Sequence, residues 1–440
     1  MKRVLSLLLC LFFIPVPFAF MGCAYNRAEV LKVYNVGEYM DEDVIAGFSD
    51  WYKNETGKDI TLEYKTYSTN EDMYTDIYKK HSDYDVVVGS DYIISRMLKN
   101  DLLLPIDRDL VYGQDGEEGV ISNKILGFVN DYENYSNESS YDASTRYSVP
   151  YMWGTFGIMF RRDLAPSLEW NNLSWSTLFS PGEYENKRYM KNSVRDAYAS
   201  ASIVAHSQQL YEASNGWTNY ETEEYQTLIK SVINDTSAIV MEKVENTLKE
   251  QKRYLFAYES DDGKDDMITP MPSAYSGLFW SCDAGYAMED CADLFYGVPK
   301  EGANLWVDSF VIPKYAGNEE GAQYFLKYLC QYDQAYLNRS YAGCSSPIEE
   351  VANDMYDVLN VALEVQRNGM EYDEENEDYE DVMYYAEIFD ASSFDDFGEM
   401  FIEMLFPSDE ILSRCAVMRD SDKDACIEMA KMWIRVKASS

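Results

Sequence analysis

Histidine is almost missing from this 440-residue chain: His81 and His206 are the only two. No C-x-x-C pair occurs either. Zinc sites built from His and Cys, and catalytic triads that pass protons through imidazole, are therefore poorly supported. Positive charge is also short. Lys and Arg number 37 against 77 Asp and Glu, a formal net charge of -40. Such a chain has no basic patch to neutralise phosphates, which argues against nucleic acid as a partner. Acidity alone is mostly a solubility trait, yet it permits a cationic ligand. Long apolar runs are confined to the N-terminus, so no second membrane span is expected.

That N-terminal run is MKRVLSLLLCLFFIPVPFAFMGC. Lys2 and Arg3 open it, Val4 to Phe20 is apolar, and Gly22-Cys23 closes it. Its length suits a signal h-region better than a membrane span. It resembles a bacterial lipoprotein signal, although Phe20 and Met21 stand where a Leu and a small residue are usual. Residues 1–22 are expected to be a signal peptide and Cys23 the lipidation site. Six later cysteines remain in a chain expected to be exported. Disulfides are then open to it, with Cys282–Cys291 and Cys415–Cys426 as the sequence-local candidates.

The rest reads as globular, with 46% hydrophobic and 26% charged residues, and is long enough for two lobes. Val44, Ile45, Phe48, Trp51 and Tyr52 form a helical stripe between acidic residues and Gly57. DITLEYKTY and YDVVVGS read as strands, and STNEDMYTDIYKK and DYIISRMLKN as helices. This alternation over residues 31–100 predicts an α/β domain with a largely parallel sheet. Residues 108–145 read as a long polar loop. YSVPYMWGTFGIMF (147–160) is strand material, followed by helical stretches around 193–212 and 221–251. GLFWSCDAGYAM (277–288) reads as strand then turn, LWVDSFVIP (305–313) as a strand, and 318–337 as an amphipathic helix. EYDEENEDYED (371–381) is a solvated charge run. DSDKDAC (420–426) lacks the Gly and the bidentate Glu of a calcium loop and is rejected as one.

Trp306 and Asp308 stand two apart in LWVDSFVIP, so a strand points both to one face. No Lys or Arg lies in that run, and an unpaired acid in a buried strand needs a partner. Other predicted strand ends carry the same chemistry: Glu38 and Tyr39, Ser90 and Tyr92, Trp153, Asp196 at a helix start, and Trp280. Ligands of α/β sheets gather where such ends converge. Rings bind ammonium faces and carboxylates bind ammonium protons, so an aliphatic polyamine suits the set. Each residue also has a plainer use. Trp153 lies mid-run and reads as core, Asp283 as a cap or turn residue, and Asp196 as a favourable acid in a first helical turn.

The ordered segments VYNVGEYMDEDVIAGF, YSTNEDMYTDI, YDVVVGSDYIISRM, YSVPYMWGT, SVRDAY, LFWSCDAGYA, PKEGANLWVDSFVIP and GCSSP resemble the spermidine/putrescine-binding proteins of bacterial polyamine ABC transporters. The resemblance covers most of residues 31–400. It implies an α/β, two-lobed periplasmic-binding-protein-like fold with a ligand cleft between the lobes, plus a short helical C-terminal addition. Lobe 1 is expected over 29–150 and 309–345, lobe 2 over 151–308 and 346–405, and the extension over 406–440. The implied ligand residues are Glu38, Tyr39, Ser90, Tyr92, Asp196, Trp280, Trp306 and Asp308, the last as the main amine-binding acid. No metal, cofactor or catalysis is expected. The implied partners are a polyamine, an ABC permease with its ATPase, and the membrane through a lipid anchor, with the chain a monomer outside the cytoplasm. Val36, Ser193 and Cys344 depart from the family pattern by removing ring contacts and one acid, which makes a diamine such as putrescine more plausible relative to spermidine and leaves the choice between them open. The rival readings are a receptor for a quaternary amine and a carboxylate-pair hydrolase.

Overall fold

The computed structural model describes residues 26–113, 116, 120–134, 146–260 and 262–439. The expected signal peptide and Cys23 lie outside the described residues. Strands are numbered in chain order: β1 Val30–Val36, β2 Thr61–Tyr67, β3 Val86–Ser90, β4 Leu103–Leu104, β5 Ser148–Arg161, β6 Arg188–Lys191, β7 Ala257–Glu259, β8 Ser276–Trp280, β9 Leu294–Gly297, β10 Ala303–Pro313 and β11 Cys415–Ala416. Their main path runs β2-β1-β3-β10-β5-β8-β6-β7.

Two long strands join two lobes. In lobe 1, β1 pairs parallel with β2 and β3, and β10 pairs antiparallel with β3. In lobe 2, β6 pairs parallel with β7 and β8, while β8 and β9 run antiparallel to β5. The first half of β5 lies against β10 through Ser148 to Thr155, and its second half, from Phe156, serves lobe 2. All fourteen residues of β5 are buried, the pattern of a strand covered on both faces.

The helices that position the strand ends follow their local sequence. Glu42–Thr56 starts on Asp41, whose carboxylate accepts from Asp43 N, and stops at left-handed Gly57. Its buried face, Val44, Phe48 and Tyr52, packs on Glu319–Leu329, with the Phe48 and Phe325 rings edge to face at 5.0 Å. Asp91–Lys99 follows β3 directly, and Val194–Ala205 follows β6.

Several sequence expectations give way. The stretch read as loop, 108–145, contains the helices Arg108–Tyr112 and Asn123–Asn134. In the second, Ile125, Leu126, Val129 and Tyr132 are buried at helical spacing, a stripe obscured by the Asn, Asp and Gly around it. The turn after Trp280 is the helix Ser281–Asp290. The stretch 318–337 divides into Glu319–Leu329 and Tyr332–Ala342. Neither local cysteine pair forms. Cys282 bonds Cys344, 62 residues on, and Cys291 and Cys415 are free thiols, as are Cys330 and Cys426. Spacing could not show this, because the helix that starts at Ser281 carries Cys282 away from Cys291 and toward the segment after Gly343.

The C-terminal segment touches both lobes. β11 pairs with β10, and helix Lys423–Ala438 packs on lobe 2 through Trp433 against Tyr258 and Arg435 to Glu245 at 2.6 Å. Asp420, just before that helix, accepts from Arg96 of the lobe 1 helix at 2.7 Å. Among the described residues no helix is long and apolar enough to cross a membrane, and no group of acids, His or Cys is placed to hold a metal.

Candidate functional site

Asp308 lies where β10 meets both lobes. It pairs with Ser90 of β3 on one side and Met152 of β5 on the other, and the β5 register shifts between Asp308 and Ser309. Such a bulge bends the strand and re-aims a side chain. The Tyr39 hydroxyl donates to Asp308 Oδ2 at 2.9 Å, and Ser90 gives a second hydroxyl bond. Ser90 caps no helix nitrogen with its side chain; its Oγ also accepts from Asn70 Nδ2 at 3.0 Å. Tyr39 is held in turn by Tyr151, which donates to its carbonyl.

Burial raises the Asp308 pKa above the ordinary carboxylate value, and the Ser90 and Tyr39 bonds only partly oppose it. Burial, followed by the Asp308 charge, holds the Tyr39 phenol well above its usual value, so it remains a donor. Asp85 shows how this chain treats a structural buried acid. It accepts from Arg27 at 2.8 Å and from the backbone nitrogens of Lys32, Gly317 and Asn318. Asp308 has two neutral hydroxyls and, among the described residues, no ion pair.

Beside it lies Asp91, which the sequence reading passed over. It is 2% exposed. One oxygen accepts from Tyr92 N at 2.6 Å, while Oδ2 has no hydrogen-bond partner. Burial first, then the neighbouring Asp308 charge, puts its pKa well above normal. The available signal was an acid immediately after the buried run VVVGS. Trp306 is half-buried, and its Nε1 also lacks a partner. A Cβ on Gly154, the cross-strand neighbour of Trp306, would come within 2.7 Å of the indole and 2.3 Å of Ser281 Oγ. Glycine there lets the Trp306 ring lie against the start of the helix that follows Trp280.

The lobe 2 wall holds Trp280, Asp196 and two cations. Trp280 donates to Asp196, which is buried in the first turn of Val194–Ala205; Ser193 caps that turn and bonds the Asp196 carboxylate. Burial raises the Asp196 pKa, opposed by Ser193, Lys191 and Trp280. Lys191 lies 4.3 Å from the Trp280 ring centroid. Arg195 reaches across to lobe 1, 3.7 Å over the Tyr92 ring and 3.9 Å from Glu71. The two walls thus meet, with Tyr39, Ser90, Tyr92, Trp306 and Asp308 gathered around β3 and β10 and with Asp196 and Trp280 across the Arg195–Tyr92 contact. Glu38 is placed differently. It sits exposed at the turn after β1 with φ 53° and shows no side-chain bond. Trp153 is buried and donates to Ser346 O, a core role. Asp283 accepts from Lys191 rather than capping a turn. A separate cavity of about 180 Å³, lined by residues such as Trp170, Met400 and Arg414, includes none of the cleft residues.

Residues 49–356 match the family model described as bacterial extracellular solute-binding protein. The chain belongs to that family of binding proteins, and its place is outside the cytoplasm. It is 27% identical over 336 residues to the spermidine/putrescine-binding periplasmic protein of Escherichia coli K12, covering 74% of this chain and 82% of that one. It is 25% identical over 307 residues to a putrescine-binding periplasmic protein of Pseudomonas aeruginosa, covering 68% and 73%. The fold matches the substrate-binding protein of a spermidine/putrescine ABC transporter from Streptococcus pneumoniae, with TM-score 0.63, 22% identity, and 93% and 98% of the two chains covered. A similar protein from Listeria monocytogenes gives TM-score 0.63 at 23% identity over 94% and 100%. These neighbours share the two-lobed periplasmic-binding-protein fold.

Proposed function

We propose that this chain is the receptor of a polyamine ABC transporter: it captures putrescine or spermidine outside the cell and hands it to a permease with its ATPase. One observation carries the reading. Asp308 is a desolvated carboxylate flanked by Trp306 and Tyr39, bonded only by neutral hydroxyls, and a ligand ammonium would supply its missing charge. The names of the relatives agree. Glu38, Tyr39, Ser90, Tyr92, Asp196, Trp280 and Trp306 complete the site on this reading, with Glu38 acting from the rim. The chain binds and releases as a monomer, without turnover. Cys23 carries the lipid that keeps it at the membrane.

Two lobes, 29–150 with 309–345 and 151–308 with 346–405, would close on the ligand about β5 and β10; the register shift at Asp308 and Ser309 supports a boundary there. Isothermal titration with putrescine and spermidine tests the proposal. Saturable micromolar or tighter binding, lost in Asp308→Asn, is the expected result. No heat and no thermal shift with either amine would refute it.

A further inference from the structure

Lys191 ends β6 with its side chain only 4% exposed. Its Nζ lies 3.0 Å from Asp283 and 3.2 Å from Glu259 while facing the Trp280 ring. Burial works against the ammonium, and the two acids more than offset it, so Lys191 stays charged. Asp283 also has Lys264 at 3.5 Å. Arg195 lies in the field of Asp196 and 3.9 Å from Glu71, whose side chain is exposed to solvent. Among the groups shielded from solvent, the lobe 2 wall sets three cations, Lys191, Lys264 and Arg195, against three acids, Asp196, Glu259 and Asp283. It is balanced. The opposite wall, where β3 meets β10, sets Asp91 in the field of Asp308, and neither forms an ion pair among the described residues. The cleft is therefore two positive charges short of neutrality, and both uncompensated acids lie where β3 meets β10.

We infer that Lys191 sets the charge of the ligand this cleft prefers: an aliphatic dication, a diamine, over a triamine carrying three positive charges. The inference rests on the polyamine reading above. A dication neutralises Asp308 and Asp91. A trication brings one more ammonium to a wall where Lys191 already supplies that charge, and repulsion between like charges in a partly desolvated site is of the order of tenfold in affinity.

The test is the ratio of spermidine to putrescine affinity, measured by titration on the wild-type protein and on two variants. Lys191→Met leaves the wall one negative charge in excess, and the ratio is expected to move about tenfold toward spermidine. Asp283→Asn leaves it one positive charge in excess while Glu259 still pairs Lys191, and the ratio is expected to move severalfold toward putrescine. Should Lys191→Met fail to fold, Asp283→Asn decides alone. A wild-type ratio favouring spermidine, or a ratio unchanged in the variants that fold, would overturn the inference and leave the polyamine reading standing. Binding of neither amine by the wild type would remove that reading and this inference with it.

Discussion

Asp308 and Asp196 stand on opposite walls of one cleft, both buried enough to raise their pKa values, yet their surroundings differ in kind. Asp196 sits at a helix start, bonded by Ser193 and Trp280, with Lys191 and Arg195 in its field. Asp308 has hydroxyls, a neighbouring acid, and no cation paired to it. A buried acid with its own counter-charge is finished architecture; one without it is held in a costly state that an external cation relieves. On the function proposed above, the difference separates acids that hold a wall together from the acid that would bind the amine.

The comparison can be broken most directly by neutralising each acid. Asp308→Asn should weaken putrescine binding by about 100-fold, since removing one partner of a buried charge pair costs about 2–5 kcal/mol. Asp196→Asn should cost about fivefold or less, because the wall keeps its own cations. Equal losses in titration would erase the distinction between the walls.

The hydroxyl that holds Asp308 sharpens the same point. Tyr39→Phe removes one bond to the carboxylate, worth about 0.5–1.5 kcal/mol, so affinity should fall about 3- to 10-fold. An unchanged Kd would mean that Tyr39 does not orient the acid.

Stability should move the other way from affinity. The folded-state pKa of Asp308 is raised, so its ionisation opposes folding. That penalty is complete above the raised pKa and vanishes as pH falls below the ordinary carboxylate value of about 4. Ligand-free Asp308→Asn should therefore melt about 1–3 °C higher than wild type at neutral pH, with the gain disappearing near pH 4. Amine affinity of the wild type should fall, as pH drops, at a higher pH than an ordinary carboxylate would require. Calorimetric melting across pH checks both signs.

The smallest effect concerns the contact between the walls. Arg195 over Tyr92 is worth about 0.5–1 kcal/mol in a partly exposed setting. Arg195→Met should shift the ligand-free protein modestly toward open lobes, read as an increased radius of gyration in solution scattering and a loss of affinity within about fivefold. An unchanged radius would show that the contact does not hold the lobes.

Much of the candidate site was legible in the sequence because its parts are local. Asp308 could be singled out because its own strand offers no cation, and the helix caps at Asp41 and Gly57 announce themselves within a few residues. Lys191 escaped notice for the opposite reason. Its meaning depends on Glu259 and Asp283, 68 and 92 positions away, and within RYMK it is one more polar residue. Asp91 does not stand out at the start of DYIISRMLKN, and only the packing of β3 against β10 buries it beside Asp308. The Cys282–Cys344 bond and the helix Asn123–Asn134 were missed on similar grounds: a pairing across 62 residues, and an apolar stripe diluted by polar neighbours.

By itself, then, the sequence determined the alternation of strands and helices, the rings and acids at strand ends, and the acid without a local partner. These follow from periodicity and residue chemistry, which act over a few positions. Only the tertiary structure decided which of those acids are compensated. Coulomb energy depends on distance in space, and folding sets those distances between residues that are far apart along the chain.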